Sequence, residues 1–138
     1  QVAEAGISVI ALPHTNLFLQ GRGHAPMPRA LTAVGALQRA GAVVAAGGDN
    51  LQDPFNPLGR ACPFETAGLM ILTTHQLPHE AWRMVSADSA RATGRTPIDI
   101  APGSPAHLVA VRAGTLREAI ATETRPRRVW HHGRGRET

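Results

Sequence analysis

A chain of 138 residues can hold one modest domain with a core of its own, but not a whole (β/α)8 barrel, which takes about 250 residues. At 43% apolar residues, with 14 Gly and 11 Pro, the composition is that of a turn-rich globular protein and excludes a disordered one. The formal net charge of +4 is carried entirely by residues 125–138, while the nine Arg and nine acids before them cancel. The body therefore has no basic stripe for nucleic acid, and no run reaches the ~18 apolar residues of a membrane span.

The sequence begins at Gln1 and not at Met, so either a start has been removed or this is a piece of a longer chain. No basic-then-apolar leader precedes a small-residue cleavage site. Residues 1–5 read as a last helical turn closed by Gly6. Residues 7–12 are almost continuously apolar and end at Pro13, the pattern of a strand buried on both faces. Residues 14–24 follow as a loop. Pro28 suits the first position of a helix whose apolar face is Leu31, Val34, Ala36, Leu37 and Ala40, closed by Gly41. A short apolar strand over 42–46 comes next. This order predicts a βαβ unit with parallel strands.

Residues 62–75 and 78–85 read as two helices separated at Pro78, with another turn over 89–93. Short strands are expected at 98–100, 108–111 and 129–130, and a short helix at 116–121. The change of character places a boundary between an α/β part, 1–95, and a small β-rich segment, 96–134, followed by a basic tail at 135–138. The single Cys62 rules out a disulfide framework and zinc-finger spacing, and suits a reducing, cytoplasmic setting.

Chemistry concentrates after the 42–46 strand. Gly47 and Gly48 allow a sharp turn or a close approach, and Asp49 follows at the strand's carboxyl end, where α/β proteins place their sites. Such a carboxylate can ligate a metal or shuttle a proton, or it can cap a turn. Asp53 reads as a turn former, and Phe55 as a loop aromatic able to wall a pocket for a flat substrate. His14 and His24 flank the first loop, where either could enter a site, though a lone His is more often structural. His75 and His79 have metal-ligand spacing, but Pro78 falls between them. His131 and His132 read as residues of the basic end, and Cys62 has no evident base partner.

Several segments together resemble the bacterial cytosine deaminases, a branch of the metal-dependent amidohydrolases. They are Leu12-Pro13-His14-Thr15-Asn16-Leu17-Phe18-Leu19-Gln20-Gly21-Arg22, then Ala46-Gly47-Gly48-Asp49-Asn50, then Asp53-Pro54-Phe55-Asn56-Pro57-Leu58-Gly59, and Ser89-Ala90-Arg91. The resemblance runs over about residues 1–134 and corresponds to the family's C-terminal third. It implies an α/β fold: the C-terminal part of a (β/α)8 TIM-type barrel, strands seven and eight with their helices, plus part of a small β-domain.

By the same resemblance, Asp49 ligates one divalent metal, zinc or iron, and takes a proton from the attacking water. Asn50 stands where the family often carries an acid near the substrate. Phe55 stands where it carries an aromatic, often Trp, over the ring. His107 replaces the Asp of an Ala-Asp-Leu-Val ending. The remaining metal ligands and the proton-shuttling Glu have no counterpart here and would lie upstream of Gln1. The implied activity is hydrolytic deamination of cytosine or a related cyclic amidine or amide by a parent enzyme, with this piece inactive alone. The implied partner is a small nitrogen heterocycle, and a homo-oligomeric parent is left open. The competing reading is a non-catalytic α/β binding or assembly module that keeps the barrel sequence without its metal site.

Overall fold

A computed structural model describes residues 1–122 and 127–137 of the chain. The calls on the basic end therefore reach it only in part, since residues 125, 126 and 138 lie outside the described residues. Two short strands start the architecture. β1 (Val9–Ala11) and β2 (Val44–Ala46) pair in parallel, with Val9 opposite Val44 and Ala11 opposite Ala46. The Gly47 N–H extends the ladder by donating to the Ala11 carbonyl at 3.0 Å. All of β2 is buried, as a strand covered on both faces must be. The βαβ expectation therefore holds, although both strands are shorter than their apolar runs.

The crossover differs from expectation at both ends. Residues 14–19, read as the first part of a loop over 14–24, lie instead in the helix α1 (Pro13–Leu19). Pro13 does not stop the chain; it starts the helix at the first position, where its missing N–H costs nothing. The second crossover helix is shorter than its apolar periodicity, for α2 covers only Val34–Arg39 and Pro28 is not its start. Residues 1–6 form a single turn whose end is the expected motif. The Gly6 N–H bonds to the Ala3 carbonyl and the Ile7 N–H to the Val2 carbonyl, with Gly6 at φ +65°.

Three helices back the strand pair. α3 (Pro63–Thr74), α4 (Pro78–Met84) and α5 (Ala87–Ala92) all pack on β2. Alanines at 45 and 46 let the helices come close to the strand. The core between α3 and α4 is filled by Phe64, Ala67, Met70, Ala81 and Met84. Phe64 stacks on Trp82 with ring centroids 4.8 Å apart. Full burial of a side chain such as Met70 or Met84 contributes about 1.5–3 kcal/mol. The break at Pro78 is real, with the Glu80 carboxylate capping the Leu77 N–H at 2.7 Å.

The later part is a second sheet. β3 (Leu108–Val111), β4 (Arg127–His131) and β5 (Arg134–Glu137) form an antiparallel sheet in that order. Residues 98–100, expected as a strand, are not one; Ile98 and Ile100 are exposed. Residues 134–137, read largely as tail, are β5 instead. α6 (Leu116–Thr122) packs on α3 and α4 through Ala119 and Ile120, and so joins this segment to the first core. Arg127 adds a second tie, its guanidinium 4.7 Å from the Phe64 ring centre and 3.5 Å from the Cys62 sulfur. No helix among the described residues is long and apolar enough to cross a membrane.

Candidate active site

The carboxyl end of β2 leads directly into Asp49. Gly47 and Gly48 were expected to supply the unusual backbone, but the left-handed conformation falls on Asp49 itself, at φ +57°. A Cβ at either glycine would meet nothing closer than 3.5 Å, so neither position requires glycine for space. A short polar residue such as Asp tolerates this conformation better than a branched one. The exposed carboxylate is oriented from the neighbouring strand, with Thr15 in α1 donating from Oγ1 to Asp49 Oδ2 at 2.8 Å. Parallel pairing of β1 with β2 sets α1 beside the loop that carries Asp49.

Residues 50–59 close on themselves. Asp53 Oδ1 accepts the N–H groups of Phe55 and Asn56, both at 2.9 Å, in the turn expected of an Asp-Pro pair. The Asn50 side-chain amide donates to Asp53 Oδ2. Desolvation pushes the Asp53 carboxyl up, but these three hydrogen bonds outweigh it and hold the group below its usual range. Asn56 is the buried hub of the loop. Its Nδ2 donates to the Asn50 carbonyl at 2.8 Å and to the Gly48 carbonyl at 3.3 Å. Gly59 is the glycine this loop requires, since a Cβ there would lie 2.4 Å from the Asn50 carbonyl oxygen.

The expected site residues separate into two groups. Asp49 and Asn50 sit together at the strand end, while Phe55 is carried out to the loop surface with its side chain exposed. His14 lies in α1 with its side chain almost buried, its Nε2 3.5 Å from Glu65 Oε2, and Arg60 reaches the other oxygen of Glu65 at 3.1 Å. His75 and His79 fall on different elements, at the end of α3 and within α4. Two residues of the loop's support were missed by sequence reasoning. Asn56 looked like any polar loop residue. Ser89, part of the resemblance but given no role, bonds the Met84 carbonyl at 2.8 Å and the Ala46 carbonyl at 3.4 Å, tying α5 to the last residue of β2.

A parallel strand pair with helices behind it and an acid oriented at the carboxyl end is the arrangement in which α/β proteins place their sites. The profile of the amidohydrolase family matches residues 2–135, and the chain belongs to that family, in its cytosine deaminase-like branch. It is 37% identical to a pterin deaminase of Rhizobium rhizogenes over 139 residues, spanning 96% of this chain and 32% of that one. Among solved structures it is similar to 5-methylcytosine deaminase of Klebsiella pneumoniae bound to phosphonocytosine, at TM-score 0.83 and 29% identity, over 97% of this chain and 34% of that one. The same enzyme with 5-fluorocytosine gives TM-score 0.81 at 30% identity, over 95% and 33%. An N-isopropylammelide isopropylaminohydrolase of Burkholderia multivorans gives 0.78 at 27%, over 97% and 32%. The chain thus spans about one third of the length of the relatives it matches.

Proposed function

We propose that this chain is the C-terminal part of a metal-dependent hydrolase that deaminates a nitrogen heterocycle, cytosine or a related cyclic amidine such as a pterin. The observation that carries the reading is Asp49. It is an acid at a strand's carboxyl end, held in a left-handed conformation and oriented by Thr15 from the adjacent strand's helix. In this reading β1 and β2 are the seventh and eighth strands of a (β/α)8 barrel, and β3–β5 belong to a small β-domain. The relatives named above act on rings of this kind by their names, which supports a flat, nitrogen-rich substrate.

A single carboxylate fits one position of a mixed oxygen and nitrogen ligand set for zinc or iron. Asp49 would hold that ion with one oxygen while Thr15 holds the other. When bound, the ion lowers the pKa of water to about 7. Asp49 itself accepts the proton of the attacking water, as a general base positioned by its neighbours. Asn50 keeps its Oδ1 to accept a ring N–H, because its Nδ2 is committed to Asp53. Phe55 stands exposed on the loop surface, and in this reading the substrate's ring comes to lie against it. The enzyme works in the cytoplasm, and its substrate is a small molecule.

Taken by itself, this chain supplies one ligand from the Asp49 loop, which favours an inactive piece and keeps a non-catalytic module as the competing reading. The deciding experiment uses the full-length protein, screened for ammonia release from cytosine, pterin and triazine substrates alongside metal analysis. Turnover that is lost in Asp49→Ala together with one metal ion per chain is the expected result. Full activity in Asp49→Ala would overturn the assignment, and absence of both metal and turnover in the intact protein would establish the module.

A further inference from the structure

The second sheet gathers three histidines that the deaminase reading does not use. His107 immediately precedes β3, His131 ends β4, and His132 begins the turn to β5. Leu108 pairs with Trp130, so the antiparallel register sets His107 opposite His131 on one face of the sheet. The pairing of His131 with Arg134 leaves His132 and Gly133 as a two-residue hairpin loop, at φ +49° and +75°. Positive φ at both central residues is the tight turn that matches strand twist. It swings the His132 ring back over the other two. A hydrogen bond of 3.1 Å from the Gly133 N–H to the Ala106 carbonyl locks the turn against the start of β3.

The three rings are in mutual contact. Their centroids lie 4.3 Å apart for His107 and His132, and 4.5 Å apart for the other two pairs. One ligating nitrogen from each falls within 4.8 Å of the others. Three imidazoles on a tetrahedral ion, with metal–nitrogen bonds of about 2.0–2.1 Å, place their nitrogens about 3.3 Å apart. Side-chain rotation has to close that gap, and with His131 and His132 exposed and His107 half-buried the rings have room to turn.

We propose that His107, His131 and His132 form a binding site for one borderline divalent transition-metal ion, of the zinc, nickel or copper type. Imidazole nitrogen suits these ions, and a donor set without carboxylate disfavours magnesium and calcium. The surface position leaves the fourth coordination place to water. A bound ion would clasp the start of β3 to the β4–β5 turn, beside the hydrogen bond from the Gly133 N–H to the Ala106 carbonyl. The inference stands on the sheet's own geometry and does not depend on the deaminase reading.

The test titrates metal-free protein with Zn2+ or Ni2+ by calorimetry, and with Co2+ by visible absorption, in wild type, His107→Gln, His131→Gln, His132→Asn and Asp49→Asn. Asn tolerates the left-handed turn position, so His132→Asn removes the ligand while sparing the hairpin. The expected result is one site whose affinity falls at least about tenfold in each histidine variant and is unchanged in Asp49→Asn. A Co2+ spectrum of tetrahedral type should vanish with the same three variants. The proposal is overturned if wild type binds no more tightly than the histidine variants, or if the affinity follows Asp49.

Discussion

The strand end at Asp49 and the sheet corner at His107 are built on opposite plans. Asp49 depends on non-local structure: a parallel partner across a crossover, three helices behind β2, and a loop of ten residues held by Asn56. The histidine corner depends on antiparallel register and one hairpin turn. A site assembled from the ends of many strands is divided when a fold is divided, and a piece of it retains single ligands. A site assembled at a hairpin travels whole with its hairpin. On the two proposals made above, the contrast accounts for a single acid at the strand end beside a group of three imidazoles in the second sheet.

The largest effect that could break the contrast is at Asp49. On the proposed reading, Asp49→Ala in the full-length protein should lower deamination on the order of 10³-fold or more, since general-base catalysis alone supplies about 10²–10⁴. Activity assays and metal analysis check this, and the variant should leave metal binding at the histidines intact. Loss of metal at both places would show the two regions to be coupled. Next comes the core that supports β2. Met70→Ala should cost about 2–5 kcal/mol, because Met70 is 1% exposed between α3 and its neighbours. Urea unfolding measures it. A stability unchanged within about 0.5 kcal/mol would mean that α3 does not hold the strand end in place.

A smaller effect belongs to α5. Asp88 is buried and takes Arg83 at 3.0 Å and Arg91 at 2.7 Å. Both guanidinium groups are about half exposed, so solvent screens the pair strongly. Asp88→Ala should therefore cost only about 1 kcal/mol. A loss much above that would mean that Asp88 orders α5 as a whole, and with it the bond from Ser89 to the end of β2.

How much of this was legible in the sequence follows from the same contrast. The parallel pair, the acid at its end and the break at Pro78 were readable, because buried strands are continuously apolar and proline marks helix starts. The same rule applied at Pro13 would have found α1, which was read as a loop because proline also ends strands. The second crossover helix was overextended, because an apolar periodicity over 31–40 does not say where packing begins. Residues 98–100 have strand composition but stay exposed. The role of Asn56 was hidden, since nothing in a polar loop marks which amide turns inward. The histidine corner was out of reach: His107 and His131 are distant in the chain, and only strand register brings them together.

The smallest expected effect concerns Asp53 and separates a turn former from a participant in chemistry. Its folded pKa lies below the ordinary aspartate value of about 3.9, because three donors favour the carboxylate against its desolvation. The unfolded chain then binds more protons than the folded one between the two values. The stability that Asp53 contributes is complete above the unfolded value and is lost as pH falls through the folded one. The Phe55 and Asn56 amide protons, which Asp53 Oδ1 accepts, report this directly. Their NMR shifts should move together, upfield on acidification, with a common midpoint below about 3.9. In Asp53→Asn the movement should disappear while Asp49 still takes the Thr15 hydroxyl. A midpoint at or above the ordinary value would mean that desolvation wins, and that Asp53 is not the clamp on which Asn50, Phe55 and Asn56 are hung.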